Sequence, residues 1–397
     1  MLQAINKNGR VTTLAIMKRE VIEKMKKEGE KFYCPVCKQP VIMKAGIKMI
    51  AHFAHQSISD CPSSEGGEGI YHEQGKLILY EWLKKHAMNV QLETYLPLIK
   101  QRPDILLSIN DKKIAIEFQC ARIPNEEIRK RNQGYKSAGI IPIWIVGANQ
   151  FNRYNQNSLK MDLFTRQFLH QFSQDSPLAI YFFDPSTAHI AIVQDVFITN
   201  NTRAIGKIKI MPLKQLKFPD LFQFNLFSPI ELMHLWSDEK RQFRLRTSQR
   251  LYGAEFSWRK WLYSKGYHPQ NLPSAVHLPI TSQHQMNTPL WNWQSKICLE
   301  IIHPHPIGGL ISLEYIAHVL KTRTHSAASY PLIHSITHPI EQYFRTLENA
   351  GILQRVSSNS FQKLQQFSFY KHVEDAIKAD NLLLQQLILQ NSDKIRA

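Results

Sequence analysis

The pattern of apolar and polar positions in residues 102–120, RPDILLSINDKKIAIEFQC, reads as two short apolar strands joined by the polar turn Asn110-Asp111-Lys112-Lys113. VQLETYLPL before it and IPIWIVG after it continue the strand pattern. Between them lies NEEIRKRNQGYKSAG, a helix expected to open on Asn125 as its cap, with Glu126 and Glu127 in its first turn, and to stop at Gly139. Upstream, SSEGGEGIYHEQGKLILYEWLKKHA sets glycines before a helical pattern whose apolar face holds Leu77, Leu79, Tyr80 and Leu83. Glu68, His72 and Lys76, four residues apart, form a polar stripe on it. Helix, three strands, helix, strand is therefore the order expected of a compact α/β layer over residues 65–150.

The flanks carry weaker patterns. LQAINK-NG-RVTTLAI in residues 1–16 predicts a hairpin about Asn8-Gly9, and residues 18–29 a charged helical connector. LAIYFFDP and HIAIVQDVFITN predict two strands that either extend the sheet or form a small connector. After Pro229 the pattern turns helical. ELMHLWSDEKRQFRLRTSQRLYG and FSWRKWLYSKGYH interleave Arg and Lys with aromatic rings, as single-strand binding surfaces do. Aromatics at helical spacing more often pack inward, so the core reading is favoured. PIEQYFRTLENAGILQRVSSNSFQKL predicts a helix and a strand-like segment, either a winged-helix DNA-docking module or part of a helical bundle. The expected division is 1–64, 65–150, 151–228 and a mainly helical 229–397, since 397 residues exceed what one core holds.

Composition narrows the class. Hydrophobic content of 43% with 20% charged residues suits a folded chain. The longest apolar run, IIPIWIVGA, is too short to span a bilayer, and the N-terminal stretch lacks a secretion pattern, so no membrane insertion and a cytoplasmic location are expected. Five cysteines, an odd number, argue against a disulfide framework. A formal charge of +17 makes a polyanion, nucleic acid first, the expected partner. No Walker loop, nucleotide fingerprint or repeat appears, so ATP-driven activity is not indicated.

Two sets of residues carry candidate chemistry. Cys34-x-x-Cys37 and His52-x-x-His55, separated by a short strand-rich loop, have the ligand types of a tetrahedral structural Zn²⁺ site in a zinc-finger-like module, with Cys61 able to replace one histidine. Asp104 and Glu117 each stand inside a strand, where acids are disfavoured and a buried carboxylate needs a partner. The short turn makes their strands antiparallel neighbours, so both carboxylates can converge on Mg²⁺ or Mn²⁺. Gln119 shares the strand face of Glu117 and is placed to orient an attacking water. His72 either joins this metal or phosphate site or is an ordinary half-buried histidine. Arg131 and Tyr135, one helical turn apart, either touch phosphate and base or dock their helix on the sheet; Lys76 is the third expected DNA contact.

Asp104, then Glu117-x-Gln119, then Arg131-x-x-x-Tyr135 and the strand carrying Trp144, resembles the restriction-endonuclease-like, or PD-(D/E)XK, nuclease fold. Together with CPVC…HFAH and EGIYHEQGK, it makes residues 1–150 similar to the competence protein CoiA family of bacteria that take up DNA. The resemblance implies a cytoplasmic protein that acts on incoming DNA, single-stranded or branched, during natural transformation and aids its recombination, with a recombinase as a further partner. Most nucleases of this fold carry Lys where this chain has Gln119, a neutral amide. Two functions follow: a metal-dependent deoxyribonuclease, or a non-catalytic DNA-binding recombination mediator that keeps the nuclease shell.

Overall fold

A computed structural model describes residues 1–46, 50–56, 61, 69–86, 89–246, 253–320, 323–334 and 337–390. Glu68 of the expected polar stripe, the glycines before it, and residues 247–252 of the Arg-rich stretch lie outside the described residues. The chain divides into two compact units, one of residues 1–152, 180–192 and 208–223, the other of 153–179, 193–207 and 224–397.

The first unit opens with β1 (Gln3–Asn6), β2 (Val11–Thr13), α1 (Arg19–Lys27), β3 (Phe32–Tyr33), β4 (Pro40–Lys44) and β5 (His52–His55), the strands forming an antiparallel sheet in the order β2-β1-β3-β4-β5. The expected hairpin forms with a longer loop, because Ile5 pairs with Val11 and the Asn6 carboxamide accepts the N–H groups of Asn8 and Arg10. Gly9 supplies the left-handed backbone that this loop needs, at φ 74°. Phe32 and Phe53, their rings 5.0 Å apart, fill the core below.

There follow α2 (Ile70–Lys85), β6 (Asn89–Leu92), β7 (Ile105–Ile109), β8 (Lys112–Gln119), α3 (Asn125–Ser137) and β9 (Ile140–Gly147), which is helix, three strands, helix, strand. β6, β7 and β8 are antiparallel neighbours, while β9 lies parallel to β8. β9 is apolar throughout and the inner residues of β8, Ile114 to Phe118, are buried, as strands covered on two faces must be. The β7–β8 turn is only Asn110-Asp111, both at positive φ (45° and 64°), and Lys112 pairs with Ile109 inside the ladder. Consecutive left-handed residues match the twist of a hairpin, so the four-residue turn expected from polarity is shortened to two. At α3 the cap is Pro124; Asn125 is already helical, and Gly139 at φ 68° follows its C-terminal end. Phe118 of β8 meets α2 at Gly75, whereas Ala115, two-period neighbour of Glu117, packs with Tyr135 of α3. Successive strand residues point oppositely, so the two helices cover opposite faces of β8.

The strands beyond residue 150 extend this sheet. They are β10 (Arg153–Asn155), β11 (Ser158–Lys160), β12 (Ala179–Asp184), β13 (His189–Asn200) and β14 (Arg203–Pro212), with the short helix α4 (Leu163–Arg166) among them. The sheet order is β10-β11-β14-β13-β12-β9-β8-β7-β6, and β12 runs parallel to β9 through Tyr181 opposite Ile145. The two strands expected here thus extend the sheet.

The second unit holds α5 (Pro229–Leu245), α6 (Gly253–Ser264), α7 (Leu290–Lys296), β15 (Leu310–Ser312), α8 (Leu313–Val319), α9 (Pro339–Asn349), β16 (Leu353–Arg355), β17 (Ser360–Lys363) and α10 (Val373–Gln390). Ser228 and Glu231 close a capping box on α5, with Pro229 in its first turn. Trp236, Trp258 and Trp293 are buried together, so these tryptophans are core, whereas Phe256 and Tyr263 of α6 are exposed. Arg244, within the stretch that interleaves basic and aromatic residues, is buried and pairs at 2.8 Å with Asp380, which also pairs with Lys240 at 3.2 Å. α9 does precede two strands, which join β15 in a sheet of order β15-β17-β16. Its Ile340, Tyr343, Phe344 and Leu347 are committed to the core, while Glu341 and Arg345, paired at 3.0 Å, stay partly exposed.

Candidate functional site

Three buried acids of the first unit, Glu93, Asp104 and Glu117, gather buried cations, because a carboxylate removed from water must be paired or neutralised. Glu93 follows β6 in a left-handed conformation, φ 47°, that turns its side chain into the interior. There Lys76 Nζ donates to Oε1 at 2.6 Å, the Leu2 backbone N–H to Oε2 at 2.8 Å, and Arg102 approaches at 3.5 Å. Asp104, just ahead of β7, lies 3.6 Å from Lys76 Nζ and 3.4 Å from His72 Nε2, and accepts the Phe118 N–H at 2.9 Å. Glu117 on β8 has Arg131 Nη2 2.7 Å from both carboxylate oxygens and accepts the Tyr135 hydroxyl. Arg131 also sits 5.7 Å from the Trp144 ring, whose N–H is bonded to Asn132 at 3.0 Å.

These partners separate the two strand acids electrostatically. Burial works to raise Asp104, but the charges of His72 and then Lys76 outweigh it and hold the carboxyl well below its usual range. Burial raises Glu117 to about 7, with Arg131 opposing and the negative Asp104 adding to the rise. Asp104 is therefore the firm anion of the pair. Ile105 pairs with Ile116, so Asp104 and Glu117 occupy the next positions along one antiparallel pair. Two hard carboxylates with no further protein ligand suit Mg²⁺ or Mn²⁺, which keep waters and accept phosphate oxygens. They do not suit an all-protein cage, and among the described residues no group of three metal-ligating side chains forms here.

Such a group forms in the N-terminal sheet. One ligand atom each from Cys34, Cys37, His55 and Cys61 lie within 4.8 Å of one another. Cys34 Sγ is 3.8 Å from Cys61 Sγ, and Cys37 Sγ is 3.3 Å from His55 Nε2. Ligands bound tetrahedrally at about 2.3 Å stand roughly 3.8 Å apart, so the quartet fits one metal ion of zinc's type. Burial and the neighbouring thiols raise Cys37 to about 11, so metal uptake here would be linked to proton release. His52 is not among the four. It is three residues from His55 on β5, so the two point to opposite sheet faces, and its Nδ1 is engaged with the Ile50 carbonyl at 2.9 Å.

Other expected site residues are placed differently from their sequence reading. Lys76 and Tyr135 are fully buried, and both hold carboxylates. Arg131 does the same for Glu117, docking its helix on the sheet. His72 packs its ring parallel to Phe118, centroids 5.7 Å apart, with its Nε2 toward Asp104. Gln119 donates its amide to the Ala121 carbonyl at 2.7 Å. Sequence reasoning missed Glu93, although an acid closing the apolar strand VQLETYLPL is the same signal that singled out Asp104 and Glu117.

Residues 14–64 match the sequence model of the competence protein CoiA N-terminal domain, residues 68–226 its nuclease-like domain, and residues 232–377 its C-terminal domain. The chain is similar to the competence protein CoiA of Bacillus subtilis (strain 168), 28% identical over 278 residues that cover 70% of this chain and 74% of that protein. No solved structure matches.

Proposed function

This chain belongs to the competence protein CoiA family, and from that premise we propose that it is a cytoplasmic Mg²⁺- or Mn²⁺-dependent deoxyribonuclease that processes incoming, single-stranded or branched DNA during natural transformation. The observation that carries this reading is Lys76, a fully buried ammonium 3.6 Å from Asp104. It supplies from α2 the positive charge that a neutral Gln119 cannot supply from β8, in a fold read as restriction-endonuclease-like. Asp104 and Glu117 would hold the divalent ion, which lowers the pKa of its water and stabilises charge on the phosphoryl group. Lys76 adds a fixed cation near the developing negative charge, where a charged donor is worth about twice a neutral one. Glu93 fixes Lys76 in place. Arg131 and Tyr135 keep Glu117 oriented until a phosphate draws the guanidinium away. Structural Zn²⁺ in the Cys34, Cys37, His55, Cys61 quartet would fix the N-terminal sheet. No feature of the described residues selects a recombinase.

One observation favours the non-catalytic reading: both Glu117 oxygens are taken by Arg131. Cleavage of single-stranded, duplex and branched DNA with Mg²⁺ or Mn²⁺ separates the two. The expected result is metal-dependent cleavage that Asp104→Ala or Glu117→Ala abolishes and Gln119→Ala only weakens. Wild-type transformation by a stably expressed double mutant at Asp104 and Glu117 would overturn the nuclease in favour of a recombination mediator.

A further inference from the structure

The second unit contains a cavity of about 300 Å³ between the β13–β14 turn and helices α5, α6 and α7, with no part in the chemistry above. Three arginines line it, Arg203, Arg246 and Arg259, against two glutamates. Glu239 pairs with Arg203 at 3.0 Å, and Glu255 pairs with Arg246 at 3.1 Å and with Arg259 at 3.2 Å, leaving a surplus of positive charge. Two of the lining side chains are buried yet incompletely satisfied. Arg259 is 8% exposed and its Nε meets no hydrogen-bond partner; His277 is 3% exposed and the same holds for its Nδ1. Each such atom carries the cost of lost hydration unless something enters to bond it. His277 also holds a left-handed backbone, φ 65°, which a side-chain-bearing residue keeps only when its surroundings enforce it.

The remaining wall sets aromatic rings beside the polar side chains of Thr199, Asn200, Thr202 and Gln242. Trp258 and Trp291 lie with centroids 4.3 Å apart, and His277 stacks against Phe243 at 5.0 Å. Burial holds the His277 imidazole neutral, down to about 3, so it meets a ligand as a ring with one free nitrogen. A cationic rim over aromatic walls is the chemistry that takes a phosphate together with a base. A volume at the lower end of small-molecule sites admits one such unit and not a run of them.

We propose that this cavity binds a single nucleotide, its phosphate on Arg246 and Arg259 and its base against the tryptophan and histidine rings. The nucleotide has two possible sources, a free deoxynucleoside monophosphate or the end of a single strand. The site shares no lining residue with the Asp104 and Glu117 cluster, and its test needs no cleavage.

The full chain is titrated, without added Mg²⁺ or Mn²⁺, with the four deoxynucleoside 5′-monophosphates, a 5′-phosphorylated oligothymidylate and inorganic phosphate. Tryptophan fluorescence and calorimetry are the readouts. Saturable quenching is expected with the monophosphates, the oligonucleotide or both, and weakly or not at all with inorganic phosphate. Binding by the monophosphates alone assigns the free source, and by the oligonucleotide alone the strand end. Arg246 has a half-exposed side chain, so Arg246→Ala keeps the fold, and it should weaken binding at least tenfold. The double mutant Asp104→Ala, Glu117→Ala should bind as wild type, whatever its cleavage. No saturable binding by any nucleotide, equal binding of inorganic phosphate, or an Arg246→Ala protein that binds unchanged would overturn the proposal.

Discussion

Gly75 shows how narrowly the site is built at the scale of one residue. A Cβ placed on it would fall 1.9 Å from Cε1 of Phe118, the ring that stacks on His72 and meets Phe183 at 5.8 Å. Alanine would raise helix propensity by about 1 kcal/mol, but the ring has no free space to yield. Gly75→Ala is therefore expected to destabilise the chain by about 1–3 kcal/mol, the usual cost of overpacking, as read from urea unfolding. An unchanged midpoint would contradict the close helix–strand approach. The neighbouring Lys76 marks what sequence could and could not give. Strand alternation exposed the acids at 104 and 117, because an acid among apolar residues is anomalous by itself. Nothing local marks Lys76 as buried, since its partners Glu93 and Asp104 lie 17 and 28 positions away and reach it only through tertiary folding.

At the scale of elements, β5 decides which histidine can bind metal. A strand sends residues three apart to opposite faces, so His-x-x-His in a strand offers one ligand, where in a helix it offers two. Three of the four clustered residues, Cys34, Cys37 and His55, were among the ligands expected from spacing, and the fourth, Cys61, was visible only as a spare thiol 27 residues from Cys34. Elemental analysis of purified protein tests the assignment. Cys61→Ser is expected to lose most of the bound metal, and His52→Ala to retain about one ion per chain. The opposite pattern would restore His52 to the site. The helical half was less legible: the Arg-rich stretch of α5 resembles a nucleic-acid surface in sequence, yet its Arg244 and Lys240 are buried on Asp380. Removing one partner from such a set costs about 3–5 kcal/mol.

At the scale of the whole molecule, three buried histidines of the second unit set an acid limit. Burial holds His170 and His277 down to about 3 and His284 to about 4. Once unfolded, each takes up a proton below about 6.5. Between these values the unfolded chain binds more protons, so stability is present above pH 6.5 and is lost as pH falls. The slope approaches about 4 kcal/mol per pH unit for the three together. Urea unfolding followed by tryptophan fluorescence at pH 7, 6 and 5 should show this loss, and equal stability across the series would refute it. The hydrogen bond from the Leu2 amide to Glu93 bears on how such a chain can be inherited and dissected. Similarity divides the family into three segments, with a boundary near residue 68, but that boundary separates an acid from its backbone donor. The middle segment also contains residues 153–179 and 193–207, which pack with the second unit. Its seams mark descent, not independence: a nuclease-like segment exchanged between relatives, or cut free at residue 68, leaves behind the amide that completes the coordination of Glu93.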